Sequence, residues 1–564
     1  MQFLDEDGLN KTITRIDGDR VNMWIRGYFD QFPDMNRFVA DLDAAADDIG
    51  QVMDVVRNCT GQFALAVVCE SLGKCYLIAD PIGAEPIYYL SNNELTGWAF
   101  RVKDLLPKLK SKSLDLKGLD ESMLYRWLNE ENTMVDGVLR VNPAEIIELS
   151  VDGVVNKKIY KELRYELTES DETEESVIEK TDAALDRYFL RLRQAYSRVA
   201  VMLSGGVDSS LLLAKAREFS FERLIAITCK FDKARNIELD RAQRVADELG
   251  VDLRVVEVDD EYVFKNFSKI VELTESPNAY FNCIARLKMM EAIADEVDLV
   301  IVGEGADGMF SMEVGGGSRA LQFERKRKLV NPAPIFLRNG IANILEGVAN
   351  PRVQRLRRLL TTDSLSYLRT QGEAFPESGL DVSITEVMPI LKSIRSNRKS
   401  YFYSRFEPKA DGEMSENFVI GFCQNRGLFT QNRHQYYCYS VIGFGLGLKL
   451  AAPFLSKDIM DIGLALPFRL RSDAMGAKPV LKKMACRYIS RDIVYAPKMG
   501  FETPLDEWLV RRRDNWMNWM TSAPAQHRGI FDMDKVAGLD PHRDSIIILS
   551  AIMLELFCRQ FIDG

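Results

Sequence analysis

The stretch VAVMLSGGVDSSLLLAKA, residues 199–216, decides the fold of the larger part of this chain. It opens with a short apolar run, Val199 to Leu203, that is typical of a buried parallel strand, and a helical stripe of leucine and alanine follows. Gly205 and Gly206 lie between the two. The sequence therefore predicts a glycine-rich turn that joins a strand to the amino terminus of a helix.

The chemistry of this turn suits a phosphate group. The first amides of a helix have no carbonyl partners, and glycines let an anion come close to them. Ser204, Ser209 and Ser210 add hydroxyl donors, and Asp208 adds a carboxylate that suits Mg²⁺. The turn is not a Walker loop, because the spacing G-x-x-x-x-G-K-[ST] is missing. A serine- and glycine-rich helix cap without a ligand is the alternative interpretation.

The turn resembles S-G-G-x-D-S-S, the PP-loop of the ATP pyrophosphatases, which hold the outer phosphates of ATP while a substrate attacks the α-phosphorus. The resemblance implies a set of nucleotide-binding residues in and around the turn: Leu203, Ser204, Gly205, Gly206, Val207, Asp208, Ser209, Ser210, Thr228, Gly303 and Gly305. It also implies that Asp208 and Asp307 are ligands of Mg²⁺.

Length and composition limit the classes of function. A chain of 564 residues has room for about two to four domains, and its 46% hydrophobic and 28% charged residues indicate an ordinary globular protein. The formal net charge of −10 argues against a general nucleic-acid binder. Nine cysteines without a C-x-x-C pair predict neither a zinc ribbon nor a disulfide framework. Three widely spaced histidines argue against a histidine-based metal site.

The sequence gives no signal for a membrane or for export. No apolar run is expected to reach the length that crosses a bilayer, and the start, MQFLDEDGLNK, lacks the basic and apolar segments of a signal peptide. We therefore expect a cytoplasmic protein with no membrane and no nucleic-acid partner.

The chain divides into two regions of different pattern. Residues 1–160 consist mainly of predicted strands and turns, and the acidic stretch LTESDETEES, residues 167–176, predicts a linker or the start of a helix. Strands and helices then alternate, with RVAVMLSGG, LIAITCKF, DLRVVEVD and DLVIVGEG as the strands. This order predicts a doubly wound parallel α/β sheet, and a helical carboxyl-terminal part follows.

A second glycine-rich turn, GEGADGMF, residues 303–310, follows the strand DLVIV. Turns at the carboxyl ends of parallel strands face one ligand pocket, so this turn should meet the first. Glu304 and Asp307 would then place two carboxylates on the rim of that pocket. One carboxylate suits a metal and the other suits proton transfer.

Together the two turns resemble motifs of the asparagine synthetase family. Four further stretches resemble motifs of this family in the expected order: ADPIGAEPIYY, GVLRVNPAEII, APFLSKDIMDIGLALP and PKMGFETPLDEWL. The resemblance is weak over the first 160 residues and strong from about Ser197 to Leu509. It implies a degenerate Ntn-type, glutaminase-like αββα domain over residues 1–165 and a PP-loop synthetase domain over residues 177–564.

The resemblance also implies two catalytic residues. Glu304 would lie beside the reacting carboxylate or amine, and Lys498 would neutralise charge on the phosphates. The negative charge that gathers at phosphorus in the transition state needs such a cation. Without the motif around it, Lys498 would be interpreted as a surface lysine before a glycine turn.

The amino-terminal region departs from the family pattern. Family members hydrolyse glutamine with a cysteine exposed by removal of Met1, whereas residue 2 here is Gln2 and the first cysteine is Cys59. A nucleophile whose base is its own α-amine must be the first residue, so we expect no glutamine hydrolysis. Glu85 also replaces a usual arginine, and Ala144 replaces a usual glycine.

The resemblance implies an ATP-dependent carbon–nitrogen ligase with ATP and Mg²⁺ as cofactors. It would adenylate a carboxylate, release pyrophosphate and let ammonia or another amine displace AMP. The carboxylate would belong to an amino acid, a specialised metabolite or a peptide, and a homodimer is left open. Two alternatives remain: an intramolecular cyclase similar to β-lactam synthetases or lasso-peptide cyclases, and a non-catalytic nucleotide-binding relic. Glu304 resembles the asparagine-forming type, since β-lactam-forming relatives tend to have tyrosine there.

Overall fold

The computed structural model describes most of the chain, and the described residues are 12–30, 34–92, 95–128, 131–163, 171–232, 237–277, 282–311, 317–330, 332–346, 348, 350–362, 381–391, 421, 427, 433–473, 476–497 and 503–564. The strands among them are β1 (Ile13–Asp17), β2 (Asn22–Phe29), β3 (Gly61–Cys69), β4 (Lys74–Ala79), β5 (Tyr88–Asn92), β6 (Leu95–Ala99), β7 (Leu139–Arg140), β8 (Glu145–Ser150), β9 (Gly153–Ile159), β10 (Arg198–Met202), β11 (Arg223–Phe231), β12 (Leu253–Val258), β13 (Leu299–Ile301), β14 (Lys449–Ala451), β15 (Ser472–Asp473) and β16 (Gly476–Ala477).

The α-helices among the described residues are α1 (Met35–Ala45), α2 (Ile49–Val56), α3 (Leu116–Tyr125), α4 (Glu174–Ala195), α5 (Val207–Glu218), α6 (Ile237–Leu249), α7 (Asp260–Thr274), α8 (Asn282–Glu291), α9 (Ala306–Phe310), α10 (Gly317–Val330), α11 (Ile335–Ile344), α12 (Pro351–Thr361), α13 (Asp381–Val387), α14 (Arg433–Gly445), α15 (Lys457–Leu464), α16 (Pro479–Ala485), α17 (Arg491–Val494), α18 (Leu505–Arg511), α19 (Arg513–Met520), α20 (Ala523–Arg528), α21 (Met533–Ala537) and α22 (Pro541–Phe557).

The amino-terminal region contains two antiparallel sheets, in the orders β1-β2-β3-β4-β8-β9 and β6-β5-β7. Apolar residues fill the space between them, where the Trp24 and Trp98 rings meet edge to face at 5.7 Å. Helices α1 and α2 contribute to the core on the other face of the larger sheet. Leu119 of α3 joins the cluster that contains Tyr88 of the smaller sheet. The layers are those of the predicted αββα arrangement.

The second region contains a five-stranded sheet in the order β12-β11-β10-β13-β14, with all neighbours parallel. The chain moves outward from β10 through β11 to β12 and then returns to place β13 on the other side of β10. This reversal puts a crevice at the carboxyl end of β10, which is where open α/β sheets bind ligands. The doubly wound sheet predicted from the sequence is confirmed, and β14 is a strand that the sequence analysis missed.

The acidic stretch before this sheet leads into a helix. The side chain of Thr173 accepts a hydrogen bond from Ser176 N at 3.2 Å and caps α4, and Glu174 and Glu175 lie in its first turn. Acidic side chains at a helix amino terminus interact favourably with the helix dipole. The predicted domain limits at residues 165 and 177 stay predictions.

The last helix contradicts the expectation that no apolar run is long enough to cross a bilayer. Among the described residues, the segment Pro541–Ile562 is long and apolar enough to cross a membrane, with a mean hydropathy of 1.8. However, 61% of that apolar window is buried inside the protein. Ile552 and Leu554 are fully buried there, so the segment packs as a core helix, as its pattern predicted.

Candidate active site

The glycine-rich turn lies between β10 and α5, as the sequence predicts. Gly205 has a φ of 72°, which a residue with a side chain rarely adopts, and Gly206 caps α5. Ser209 Oγ lies 3.2 Å from both the backbone nitrogen and the Oγ of Ser204. The buried hydroxyl of Ser210 has no hydrogen-bond partner among the described residues. An unsatisfied hydroxyl beside the start of a helix fits the donor set that a phosphate needs.

Substitution of Gly205 by alanine is expected to destabilise the protein. An added Cβ would lie 2.5 Å from Arg241 Cβ and 2.7 Å from Ala242 N, at a φ that also strains alanine. We expect a loss of about 1–3 kcal/mol in the free energy of unfolding, measured by denaturant titration. Gly206→Ala is the matched control, because its nearest neighbour is Ser204 Oγ at 3.3 Å and its φ is −76°. Equal stability of the two variants would contradict the close contact at Gly205.

The second glycine-rich turn packs directly against the first. A Cβ added to Gly303 would lie 3.4 Å from Asp208 Cβ and 3.5 Å from Ser209 N. Gly305 has a φ of 98°, and its Cβ would lie 2.6 Å from Leu455 Cδ2. Because β10 and β13 are adjacent and parallel, the two turns emerge side by side at one sheet edge. A side chain is therefore excluded at Gly305, by its φ and by Leu455, whereas the contact at Gly303 is an ordinary van der Waals distance.

Asp208 and Asp307 converge on a single ammonium group. Lys478 Nζ lies 2.5 Å from Asp208 Oδ2 and 2.7 Å from Asp307 Oδ1, and the lysine side chain is only 6% exposed. Burial lowers the pKa of Lys478, but the two carboxylates raise it by more, so that the net direction is upward and the ammonium stays charged. Two acidic residues on two different turns therefore share one small region of space.

The same two carboxylates fit the predicted Mg²⁺ site. Magnesium is usually held by one or two carboxylates together with substrate phosphates and water. In the part of the chain that the structure describes, no group of three or more His, Cys, Asp or Glu side chains has an arrangement that could hold a metal ion by itself. Asp208 and Asp307 would thus hold the ion only together with the phosphates of a bound nucleotide, and their roles as ligands stay predictions.

Lys478 is a site residue that the sequence analysis missed. It has a φ of 60° and immediately precedes Pro479, the first residue of α16. The dipeptide signals a helix start, but it gives no sign that the lysine is buried against an aspartate 270 residues away. The lysine predicted from the sequence, Lys498, lies outside the described residues, and its role stays a prediction.

Glu304 lies near Asp208 and Asp307 and contacts α14. With its amide nitrogen turned toward the carboxylate, Gln435 donates to Glu304 Oε2 at 2.9 Å and to Oε1 at 3.0 Å. This orientation follows from the chemistry, because a carboxylate only accepts hydrogen bonds. Arg286 Nη2 lies 3.6 Å from Glu304 Oε1, and its guanidinium stacks on the Tyr439 ring at 3.7 Å. The acid is thus held from two sides.

The protonation of Glu304 is shifted into the neutral range. The pKa of Glu304 is raised to about 7, mainly by burial; Arg286 and Lys478 oppose the rise, and Asp307 and Asp208 contribute to it. A carboxyl with a pKa near neutrality exchanges a proton readily at physiological pH. Glu304 has the properties of a general base or acid.

The other predicted nucleotide contacts lie along the same sheet edge. Leu203 N donates to Ile227 O at 2.8 Å, which places Leu203 next to Thr228 of β11 at the point where β10 ends. Thr228 is 5% exposed, and Val207 begins α5. The geometry brings the predicted set together around one crevice. Contacts of these residues with a nucleotide stay predictions.

The comparison with family models decides the identity of the chain at the family level. The model described as Asparagine synthase matches residues 181–545, well over half of the sequence. This chain belongs to the asparagine synthase family. A second model, described as Glutamine amidotransferase domain, matches residues 42–161 of this asparagine synthase family protein. Membership of the family makes the protein an ATP-dependent ligase.

The asparagine synthase family protein is similar to relatives over most of its length. It is 24% identical over 460 residues to asparagine synthetase [glutamine-hydrolyzing] 1 of Bacillus subtilis, across 81% of this chain and 70% of that protein. It is 23% identical over 503 residues to a putative asparagine synthetase [glutamine-hydrolyzing] of Mycobacterium tuberculosis, across 87% and 74% of the two chains. An NH3-dependent NAD synthetase structure from Campylobacter jejuni matches with 18% identity over 25% of this chain and 60% of that one, at a TM-score of 0.19 that carries no weight.

Proposed function

We propose that this protein is an AMP-forming amide ligase that adenylates a substrate carboxylate, with release of pyrophosphate, and then lets ammonia or another amine displace AMP. The observation that carries the proposal is the convergence of Asp208, Asp307 and Lys478 beside the glycine-rich turn. Charges that converge beside a predicted phosphate-binding turn favour a catalytic site over a non-catalytic relic. Burial of such charges is costly unless they are paired or used.

Each group has a distinct task in this proposal. The turn and the hydroxyls of Ser204, Ser209 and Ser210 would hold the outer phosphates of the nucleotide. The charge of Lys478 would stabilise the negative charge that develops at phosphorus in the transition state. Asp208 and Asp307 would hold Mg²⁺, which supplies further neutralisation of the phosphates when it is bound.

Glu304 is proposed to act in the second step. An amine that attacks an acyl group must lose a proton, and a base with a pKa near the working pH accepts that proton efficiently. The pKa of Glu304, raised to about 7 by burial, meets this requirement. Gln435 would keep the carboxylate oriented through its two hydrogen bonds, at 2.9 Å and 3.0 Å.

The amino-terminal domain is proposed not to hydrolyse glutamine. Its described residues include three cysteines, Cys59, Cys69 and Cys75, and all three are buried. Burial raises the pKa of Cys59 to about 12, which keeps the thiol protonated and unreactive. Ammonia or an amine taken directly from solution would then be the nitrogen source.

A pyrophosphate exchange assay tests the ligase proposal. Substrate-dependent incorporation of labelled pyrophosphate into ATP, over a panel of amino acids and peptides, is expected for the wild-type protein. Asp208→Ala should lower the exchange rate by about 10²-fold or more, because the outer phosphates lose a predicted metal ligand. Asp47→Ala, at an exposed ion pair in the amino-terminal domain, is the control that should keep full exchange.

The products and the nitrogen source complete the test. AMP should accumulate with ammonium and not with glutamine. Release of ADP, or full exchange in Asp208→Ala, would contradict the proposal. Nucleotide binding without exchange for any substrate would favour the non-catalytic alternative.

A further inference from the structure

One helix of the synthetase domain, α14, contacts both the amino-terminal domain and the neighbourhood of Glu304. Four of its residues recur at the spacing i, i+4, i+7 and i+11, which places them on one face of a helix: Arg433, Tyr437, Ser440 and Phe444. All four are buried. This face contacts the amino-terminal domain.

The contacts of this face are polar and specific. Arg433 Nε donates to Gly83 O at 3.2 Å, and the hydroxyl of Tyr437 lies 3.2 Å from that of Tyr88. The Ser440 hydroxyl donates to Glu85 Oε2 at 2.5 Å. A face held by directed hydrogen bonds fixes both the rotation and the position of a helix along its axis.

A buried ion pair stands at the centre of these contacts. Arg26 Nε donates to Glu85 Oε2 at 2.9 Å, and the two side chains are only 2% and 5% exposed. Arg26 Nη2 also donates to Ser440 Oγ at 3.3 Å, and its guanidinium lies over the Phe444 ring at 4.1 Å. Glu85 is the position where the resemblance to the family leads us to expect arginine.

The turn that carries Glu85 is itself fixed. The carboxylate of Asp80 accepts hydrogen bonds from Ala84 N at 2.8 Å and from Glu85 N at 3.2 Å. The buried carboxylate of Glu85 is therefore presented from a rigid turn of the amino-terminal domain. Movement of this domain relative to α14 would separate it from Ser440.

The other side of α14 faces the candidate active site. Gln435 donates to Glu304 and accepts a hydrogen bond from Arg286 through its backbone carbonyl at 3.4 Å. Tyr439, one turn further along, stacks on the Arg286 guanidinium. The residues that orient Glu304 and those that bind the other domain are thus parts of one rigid element.

We infer that the amino-terminal domain positions the synthetase site: Arg26 and Glu85 hold α14 so that Gln435 and Tyr439 keep Glu304 in its working orientation. Arg26 and Glu85 are positioning residues, because they act on Glu304 only through α14. The inference gives the amino-terminal domain a role in amide formation that needs no glutamine chemistry. It rests on the proposed function for its kinetic consequences, but not for its structural ones.

Hydrogen exchange measured by mass spectrometry tests the structural part without any substrate. In Arg26→Met, which leaves the buried carboxylate of Glu85 without its cation, the amides of residues 433–445 should exchange about tenfold faster than in the wild type. Arg20→Met is the matched control, because Arg20 pairs with Asp47 on the exposed side of the same domain. Its exchange in residues 433–445 should equal that of the wild type.

Kinetic measurements distinguish a positioning role of Arg26 from a general loss of folded protein. In Arg26→Met, kcat for amide formation should fall by about tenfold or more, since small displacements of reacting groups are costly. The KM for ATP should stay unchanged, because β10 and α5 are not touched. A simple loss of folded protein would instead lower the amount of active enzyme and speed exchange throughout the chain.

Ser440→Ala tests the same inference if Arg26→Met fails to fold. This variant removes only the hydroxyl that links Glu85 to α14 and leaves the ion pair intact. Faster exchange in residues 433–445 with a lowered kcat supports the inference. Exchange and kcat equal to the wild type in a folded Ser440→Ala, or equal values in Arg26→Met and Arg20→Met, overturn it. A wild-type protein without ligase activity would overturn the proposed function and leave hydrogen exchange to decide the coupling.

Discussion

Lys478→Met is expected to lower the rate of pyrophosphate exchange by about 10³-fold. The substitution removes the cation that lies between Asp208 and Asp307 and leaves the two carboxylates unscreened. The transition state would then gather negative charge at phosphorus without a buried counter-charge. The exchange assay with saturating ATP and Mg²⁺ measures the loss.

Two controls make this result specific. Lys483→Met changes a lysine on the same helix, α16, that is 45% exposed and pairs with Glu174, and it should leave exchange unchanged. Lys498→Met, measured in parallel, tests the lysine that the sequence analysis predicted. A Lys478→Met variant with exchange close to wild type would show that the buried ammonium only balances two carboxylates and takes no part in the reaction.

Glu304→Gln is expected to separate the two steps of the reaction. Pyrophosphate exchange, which reports adenylation, should persist, whereas amide formation should fall by about 10²–10⁴-fold because the base is lost. Glutamine keeps the shape of the side chain and its contact with Gln435. Quantification of amide product beside pyrophosphate exchange measures both steps, and parallel loss of both would contradict a role confined to the second step.

The pH dependence gives an independent measure of the same group. Since burial raises the pKa of Glu304 to about 7, the charged, proton-accepting form predominates only above that pH. Amide formation by the wild type should therefore fall as pH drops through about 7, and this acidic limb should be absent from the residual rate of Glu304→Gln. Charged and titratable groups that influence Glu304 are Arg286, Asp307, Asp208, Lys478, Cys438 and Tyr439. Glu257→Gln, at an exposed ion pair with Lys230, should keep the wild-type profile.

The sequence predicts the parts of the site that depend on local conformation. Gly205 and Gly206 between an apolar run and a helix give the turn, because only a few conformations join a strand to a helix this tightly. The position of Gly303 and Asp307 beside the first turn follows from the rule that the carboxyl ends of parallel strands lie at one edge of the sheet. The strands and turns of the amino-terminal region follow from its pattern, whereas its αββα layers were expected only from the resemblance to the family.

The sequence does not predict contacts made by residues far apart in the chain. Lys478 is buried beside Asp208, and nothing in its neighbourhood indicates that burial. The same holds for Arg26 and Glu85, whose pairing depends on the packing of two domains. The three-residue strand β14 was missed because so short an apolar run gives no period.

Substitutions away from a family motif also gain a physical meaning from the structure. Ala144, where glycine is usual, has a φ of 54°, so the backbone keeps a left-handed conformation at some cost to alanine. Glu85, where arginine is usual, is compensated by Arg26 from β2. The protein therefore tolerates local backbone strain at Ala144, and the charge of Glu85 is balanced by that of Arg26.

The bridge that Lys478 forms between Asp208 and Asp307 has a consequence for the order in which components assemble. In the nucleotide-free protein the ammonium of Lys478 already offsets much of the repulsion between the two carboxylates. The fold therefore does not need a divalent ion to hold them close together. A metal ion without a nucleotide would have to compete with the Lys478 ammonium for the two carboxylates. A metal ion bound to a nucleotide would already have phosphate oxygens as ligands. Under the proposed function, Mg²⁺ would therefore be needed for turnover and not for folding.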